Sequence, residues 1–327
     1  MIKTNDTLTF EESDRLKGLL ILLVILGHIE QLFSGENAKL QMLLYSFHVV
    51  SFFFLPFLFN RNHLSLINIK KNLKRIYIPY TFFYFLSVLI YSIVFHKEFS
   101  YDIFIAWIIG TGPLVKATAG FAFFWFFTAL LSTVILIMLY NSLSKTYQKF
   151  FLFIMFSLHL IISLLPSKYL IYFPFSLYVP LYLFIIGQII KYIYSNLTWD
   201  NYMNFGILCI FAILLYILYG TRFNLASPLL PNIIHNPIDF LMHDFVFIIG
   251  FFTMIYLSRS FDFFTYFGKY SLAFFTIHPF IIQILNRTYH WDSILGGVVK
   301  YILVVFITYS LVKLVYRFKI DRIIYPR

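Results

Sequence analysis

Residues 294–316 have the sequence ILGGVVKYILVVFITYSLVKLVY, in which Lys300 and Lys313 are the only charged side chains. A helix of this length rises by about 35 Å, which exceeds the roughly 30 Å of hydrocarbon in a bilayer. Because lipid offers no partners to backbone polar groups, such a run favours a membrane-spanning α-helix. Apolar runs of the same kind recur along the chain, so this segment indicates how the rest folds.

Composition extends this conclusion to all 327 residues, of which 61% are hydrophobic and 12% charged. Soluble domains have roughly 45–50% apolar and 25% charged residues, so a soluble globule, a disordered chain and a disulfide-rich domain are all excluded. The single cysteine, Cys209, excludes an intrachain disulfide. The net charge of +11 comes from basic residues that cluster beside apolar runs. That clustering indicates membrane topology rather than a nucleic-acid partner.

The predicted fold is an all-α, polytopic transmembrane helical bundle that forms a single domain over residues 1–327. A span requires about 20 apolar residues. Ten runs meet or approach this length, and the predicted spans are 16–33, 40–60, 76–95, 121–140, 150–165, 169–190, 205–219, 239–257, 270–286 and 294–316. The apolar segment 104–109 is too short to cross, and glycines and a proline follow it. We expect it to form an interfacial or re-entrant helix.

The distribution of positive charge predicts the orientation of these spans. With the N-terminus inside, seventeen of the 25 Lys and Arg residues lie near the inner face and six near the outer face. Because loops that stay in the cytoplasm carry an excess of Lys and Arg, this asymmetry predicts that both termini are cytoplasmic.

The first predicted span contains two ionisable residues, Lys17 and His28. Eleven helical steps of about 100° place them on one face, with His28 about 16.5 Å further along the axis. Ionisable groups inside a bilayer are costly, so each suggests a function. One interpretation is that Lys17 holds an anionic cytoplasmic cofactor while the reactive end of that cofactor reaches His28. The alternative is a snorkelling lysine and a histidine that only hydrogen-bonds between helices.

Asp14-x-x-Lys17 followed by His28 resembles the R/K-x10-H motif of membrane acyltransferase family 3. Four further motifs resemble family segments in the same order: Ser46-Phe47-His48 with Phe52-Phe53-Phe54; Lys74-Arg75-Ile76-Tyr77-Ile78-Pro79-Tyr80; Phe124-Trp125-Phe126; and Gly268-Lys269-Tyr270-Ser271-Leu272 with His278-Pro279. The resemblance covers most of the chain. Two departures are Leu55-Pro56-Phe57, where many members carry Ser-Gly, and Lys17, where arginine is commoner. Lysine lacks the arginine fork but still suits a phosphate.

This resemblance implies an O-acyltransferase of the bacterial cytoplasmic membrane that modifies a surface polysaccharide, its lipid-linked precursor or a related glycan. It also implies acetyl-CoA as the donor, taken from the cytoplasm, and an acceptor that faces outward. Lys17, Lys74 and Arg75 are the candidate ligands of the CoA phosphates, since cations at the membrane edge form charge-assisted hydrogen bonds with phosphate.

The chemistry of acyl transfer to a hydroxyl requires a base and stabilisation of an oxyanion. His28 is the candidate base, or alternatively a transient acyl carrier. His48 and His278 are predicted to lie at a similar depth, where they would line the same site or form separate inter-helix hydrogen bonds. Three histidines could in principle bind a metal, but no ligand spacing supports this, so no metal is expected.

Three residues are candidates for binding the acceptor. Trp125 belongs to one of the motifs above. Asp239 and His243 are four residues apart and therefore share one helical face, where a carboxylate could orient the histidine or the pair could bind a sugar. The alternative for this pair is a polar helix start that faces water.

A different class of function is a polytopic transporter or flippase for a glycan or lipid, whose intramembrane polar residues would line a pathway. Transporters commonly contain paired repeats with matching broken helices. The sequence shows no such repeat, so the enzyme is the favoured hypothesis.

Overall fold

A computed structural model describes residues 8–33, 38–59, 62–96, 98–110, 112–164, 174–196, 206–207, 210, 237–289 and 291–326. Within these residues the regular structure is helical and no strand occurs. The helices are α1 Phe10–Gly27, α2 Ala38–Phe59, α3 Leu66–Asn72, α4 Ile78–Phe95, α5 Asp102–Ile109, α6 Gly112–Ala119, α7 Trp125–Ser142, α8 Lys145–Leu164, α9 Phe175–Asn196, α10 Pro237–Arg259, α11 Phe264–Lys269, α12 Ser271–Thr288, α13 Ile294–Arg317 and α14 Asp321–Ile324.

Helix α1 differs from the predicted span 16–33 at both ends. It begins earlier because Thr9 and Glu12 form a capping box: the Glu12 N–H donates to Thr9 Oγ1, and the Thr9 N–H donates to Glu12 Oε2. It ends at Gly27, and a separate 3-10 turn, Glu30–Phe33, follows. The prediction of one continuous helix through His28 is therefore wrong, because His28 is the C-terminal cap of α1.

The other predicted spans agree better with the observed helices. Eight of them coincide with α2, α4, α7, α8, α9, α10, α12 and α13, with ends that differ by a few residues. The seventh predicted span, 205–219, lies almost entirely outside the described residues. Helix boundaries in an apolar run are weakly specified by sequence, since several successive residues are equally compatible with helix.

Among the residues that the structure describes, five helical segments are long and apolar enough to cross a bilayer. These are Leu66–Val94, Ala122–Ser142, Lys145–Leu164, Ser176–Asn196 and Ile294–Arg317. Helix α1 carries five charged residues between Glu11 and Lys17, which lowers its hydropathy. The chain is therefore an all-helical membrane protein, while the count of ten spans and the orientation stay predictions.

The segment 104–109, predicted to be interfacial or re-entrant, lies in the short helix α5, and a second short helix, α6, follows it. Each has eight residues and is therefore about 12 Å long, too short to cross a bilayer. Helix α5 ends at Gly110, which has a φ of 67° that suits glycine. The structure thus confirms a short helix over 104–109, and its depth in the membrane stays a prediction.

The chain forms two compact units, and the assignment of a single domain stays a prediction. The first unit contains residues 1–59 and 189–317, and the second contains 60–188 and 318–327. In the second unit, α4 anchors α5, because Tyr80 and Tyr84 donate hydrogen bonds to the carbonyls of Trp107 and Ile103 at 2.7 and 2.8 Å.

In the first unit, α1 packs against α11 at a contact that only glycines permit. A Cβ placed on Gly268 would lie 1.5 Å from the Asp14 carbonyl oxygen, and a Cβ on Gly18 would lie 1.9 Å from the Phe264 carbonyl oxygen. The two backbones therefore touch directly. This contact gives a physical reason for Gly268 in the late sequence motif, and it fixes the half of α1 that carries Lys17.

Two arginines hold the same end of α1. Arg259 donates to Glu12 at 2.8 Å, and Arg15 contacts Asp262 at 2.8 Å. Burial opposes ionisation of Glu12, but hydrogen bonds from Thr9 and the charge of Arg259 outweigh it and lower the pKa of that carboxyl. Arg15 and Arg259 are thus engaged in structural ion pairs.

The predicted orientation can be tested by reporter tags. Tags at residue 1, within 61–75 and at residue 327 should report cytoplasm, because the positive-charge asymmetry places these segments inside. A tag within 220–238, of which 220–236 lie outside the described residues, should report the opposite side. A cytoplasmic signal from 220–238 would contradict both the ten-span prediction and an acceptor site on the outer side.

Candidate active site

Helices α1, α2 and α12 bring three histidines of the first unit into one cluster. The ring centroids of His28 and His278 are 5.4 Å apart in an edge-to-face arrangement. Tyr45 lies between the rings of His28 and His48, with its ring centroid 5.9 Å from that of His28 and 5.1 Å from that of His48. We call His28, Tyr45, His48 and His278 the histidine cluster.

Backbone hydrogen bonds define the protonation pattern of these rings. The Nδ1 atoms of His28 and His278 contact the carbonyls of Val24 and Phe274 at 2.7 and 2.9 Å, and His48 Nδ1 contacts the carbonyl of Leu44. A carbonyl can only accept, so each Nδ1 carries the hydrogen. In a neutral ring the lone pair then lies on Nε2, which is the atom that can act as a base.

The Nε2 atoms of His48 and His278 are buried and have no hydrogen-bond partner within the part of the chain that the structure describes. Such orphaned polar atoms are rare in protein interiors. Pro279 follows His278 within α12 and has no N–H to donate to the Phe275 carbonyl. The cluster therefore contains hydrogen-bond acceptor atoms, the two Nε2 atoms, that packing alone does not require.

Accessibility distinguishes His28 from the other two histidines. His48 and His278 are 0% and 1% exposed, whereas His28 is only partly buried. Its position as the helix cap explains this, since α1 ends there and the chain turns away. His28 is thus the member of the cluster that a substrate can reach, and His48 and His278 pack around it.

Lys17 lies on the same helix as His28, eleven residues earlier and therefore about 16.5 Å away along the axis. Its Nζ contacts Asp14 Oδ1 at 2.5 Å, and its side chain is 20% exposed. The ion pair holds the lysine at the start of the apolar run, with part of its side chain exposed. Lys17 thus lies near the middle of α1, and His28 caps its C-terminal end.

Lys74 and Arg75 belong to the second unit, where both are exposed. They lie on a π-helical turn, Leu73–Tyr77, between α3 and α4. Such turns are rare and often occur at functional sites, and nothing in the amino-acid pattern signals one here. The assignment of Lys74 and Arg75 to the CoA phosphates stays a prediction.

The three predicted acceptor-binding residues lie on two helices. Trp125 begins α7 in the second unit, and its ring centroid lies 6.3 Å from that of Phe126. His243 lies on α10, is 3% exposed and packs 6.2 Å from Phe247, so a helix start that faces water does not describe it. The backbone of Asp239 is in α10, but its side chain is outside what the structure describes.

The sequence predicts no metal ion at His28, His48 and His278. Among the described residues, no three His, Cys, Asp or Glu side chains are grouped in a way that could hold a metal ion. The three histidine rings of the cluster instead donate hydrogen bonds from Nδ1 to backbone carbonyls of their own helices.

The sequence did not predict several polar residues that lie close to the histidine cluster or along the chain just beyond it. Tyr45 is one, and another is a pair between Lys300 and Gln31, in which the Lys300 Nζ donates to Gln31 Oε1 at 2.9 Å. The available signal was a lysine inside the apolar run 294–316, since a charge at such a position suggests function.

Comparison with known proteins gives one match. A family model described as an acyltransferase domain, of the acyltransferase 3 type, matches residues 10–317. No curated protein and no solved structure matches the chain. The matched range covers nearly the whole chain and includes every residue of the histidine cluster.

Proposed function

Because this chain belongs to the acyltransferase 3 family, we propose that it transfers an acetyl group from acetyl-CoA to a hydroxyl of a surface polysaccharide or its lipid-linked precursor. It would do so in the bacterial cytoplasmic membrane. The observation that carries this proposal is the partly exposed His28, whose Nε2 can act as a base, at the C-terminal end of the helix that also carries Lys17.

The reaction follows from the protonation pattern of the cluster. His28 Nε2 takes the proton of the acceptor hydroxyl as its oxygen attacks the thioester carbonyl. The tetrahedral oxyanion collapses, the carbon–sulfur bond breaks, and the imidazolium returns the proton to the departing CoA thiolate. A neutral His278, 5.4 Å away, avoids the charge repulsion that a second imidazolium would cause.

Two features support the proposed donor site: the positive charge of its residues and the distance from Lys17 to His28. A phosphate pairs with a cation through charge-assisted hydrogen bonds, and Lys17, Lys74 and Arg75 are the proposed cations. The flexible arm of CoA would then extend along α1 toward His28, about 16.5 Å from Lys17. Arg15 and Arg259 join α1 to other segments through their ion pairs, whereas the ion pair of Lys17 with Asp14 lies within α1, so Lys17 is the proposed cation on the first unit.

Lys17→Glu should weaken CoA binding by about tenfold or more, since a charge-assisted hydrogen bond contributes about 1.5–3 kcal/mol. The new carboxylate would also lie beside Asp14 and repel phosphate. Lys17→Arg should retain most of the affinity. The measurement is CoA binding to detergent-solubilised protein by calorimetry.

Lys145→Glu makes the same charge change at an exposed lysine on α8 and serves as the control. An unchanged CoA affinity in Lys17→Glu would remove Lys17 from the donor site.

The function itself is tested by mass spectrometry of surface glycans from cells with and without the gene. We expect glycans that carry one additional acetyl group per modified sugar only when the gene is present. Identical spectra would contradict the proposal, and a different acyl mass would correct the donor.

A further inference from the structure

Several polar residues surround the chain just beyond His28. The 3-10 turn Glu30–Phe33 follows the end of α1, and Glu30 on this turn is exposed. Lys300 on α13 is only 1% exposed, and its Nζ donates to Gln31 Oε1 at 2.9 Å. These residues lie on the side of His28 that is opposite to Lys17.

A buried ammonium group is costly unless it is paired. The hydrogen-bond partner of Lys300 is a neutral amide, so the pair alone does not neutralise the charge. Glu30 lies two residues after His28 and directly before Gln31, the partner of Lys300, and its exposed side chain is accessible to a ligand.

The turn is held in place from two sides. Gln41 on α2 donates to the Gly27 carbonyl at 2.9 Å, which fixes the end of α1. On the other side, α13 approaches closely, because a Cβ on Gly297 would lie 2.9 Å from Leu32 and 3.1 Å from Gln31. A site on this turn is thus rigid, as substrate positioning requires.

Building on the proposed function, we propose that Glu30, Tyr45 and the Lys300–Gln31 pair form the acceptor subsite, and that the acceptor is a neutral, polyhydroxylated sugar. Glu30 accepts hydrogen bonds from sugar hydroxyls, and the Tyr45 ring offers a flat surface to the sugar. Lys300 is a positioning residue that acts through Gln31 on the turn.

The chemistry of this subsite favours a neutral sugar over other acceptors. An exposed carboxylate would repel a phosphorylated or carboxylated sugar, and an apolar alcohol would leave the polar groups unpaired at a cost. The position beyond His28 also means that donor and acceptor approach from opposite ends of α1. The reacting hydroxyl then meets the thioester at His28.

The experiment uses the full-length protein in lipid nanodiscs, with acetyl-CoA and the lipid-linked glycan fraction extracted from producing cells as the acceptor. Glu30→Gln keeps the shape of the side chain but removes its charge. We expect the KM for the glycan to rise by about tenfold, as for loss of a hydrogen bond to a charged group. The KM for acetyl-CoA should stay within about twofold.

Two further variants separate positioning from a general loss of structure. Lys300→Met removes the buried donor and should raise the glycan KM, whereas Lys313→Met changes an exposed lysine on the same helix and should have no effect. Glu98→Gln, at an exposed glutamate of the second unit, is the control for Glu30→Gln. Because Glu30 is exposed, its variant is expected to fold normally.

The outcomes distinguish this inference from the proposed function. If the wild-type protein transfers acetyl groups but Glu30→Gln has an unchanged glycan KM, the acceptor subsite is wrong and the function stands. If the wild-type protein transfers none, the function fails and the subsite fails with it. Acetyl groups located by mass spectrometry on an acidic sugar residue would overturn the neutral class of acceptor.

Discussion

His28→Gln is expected to reduce acyl transfer by about 10²–10⁴-fold while leaving membrane insertion and CoA binding intact. Glutamine retains an amide N–H that can replace Nδ1 as a donor to Val24, so the local structure should persist. It has no group that accepts and returns a proton near neutral pH. The measurement is the acetyl content of surface glycans at matched protein levels.

His63→Gln is the matched control, because His63 is exposed in the second unit and has no place in the proposed chemistry. A normal acylation rate in a well-expressed His28→Gln variant would show that His28 is a packing residue. The hydrogen bonds of His48 and His278 to their own helices would then also need a structural explanation.

Gly268→Ala is expected to be the most damaging small substitution for folding. The added Cβ would lie 1.5 Å from the Asp14 carbonyl oxygen, and the contacting atom is backbone, which cannot rotate away. Overpacking of this kind typically costs about 1–3 kcal/mol and occasionally more. Because α1 and α11 would be forced apart, the ion pairs of Arg15 and Arg259 should weaken as well.

The measurement is thermal stability and yield of monodisperse protein in detergent. Gly206→Ala is the control, because none of the described atoms lies within 4 Å of a Cβ at that position. Equal stability of Gly268→Ala and the control would mean that α1 and α11 are further apart than the structure places them.

Much of the fold could be predicted because a bilayer imposes a simple length rule. Eight apolar runs coincide with observed helices, since each must satisfy its backbone hydrogen bonds internally. The end of α1 at Gly27 could not be predicted, because the apolar pattern continues past it and the break depends on contacts with α2 and α13. The π-helical turn at Leu73–Tyr77 likewise has no pattern of its own.

The candidate site was only partly predictable. His28, His48 and His278 were recognisable as polar residues within apolar runs, and their helices do bring them together. Tyr45 was hidden by the abundance of aromatic residues, which gives a single tyrosine no distinguishing signal. The Lys300–Gln31 pair joins residues 269 positions apart, and no spacing within one sequence indicates such a contact.

In the proposed reaction, His28 supports acyl transfer from acetyl-CoA to a glycan hydroxyl. The most direct test supplies radiolabelled acetyl-CoA to the purified protein in vesicles that contain the extracted lipid-linked glycan, and follows label in the glycan over time. We predict steady incorporation with the wild-type protein and almost none with His28→Gln. The account would be contradicted if the two proteins incorporated label equally, or if the wild-type protein incorporated none.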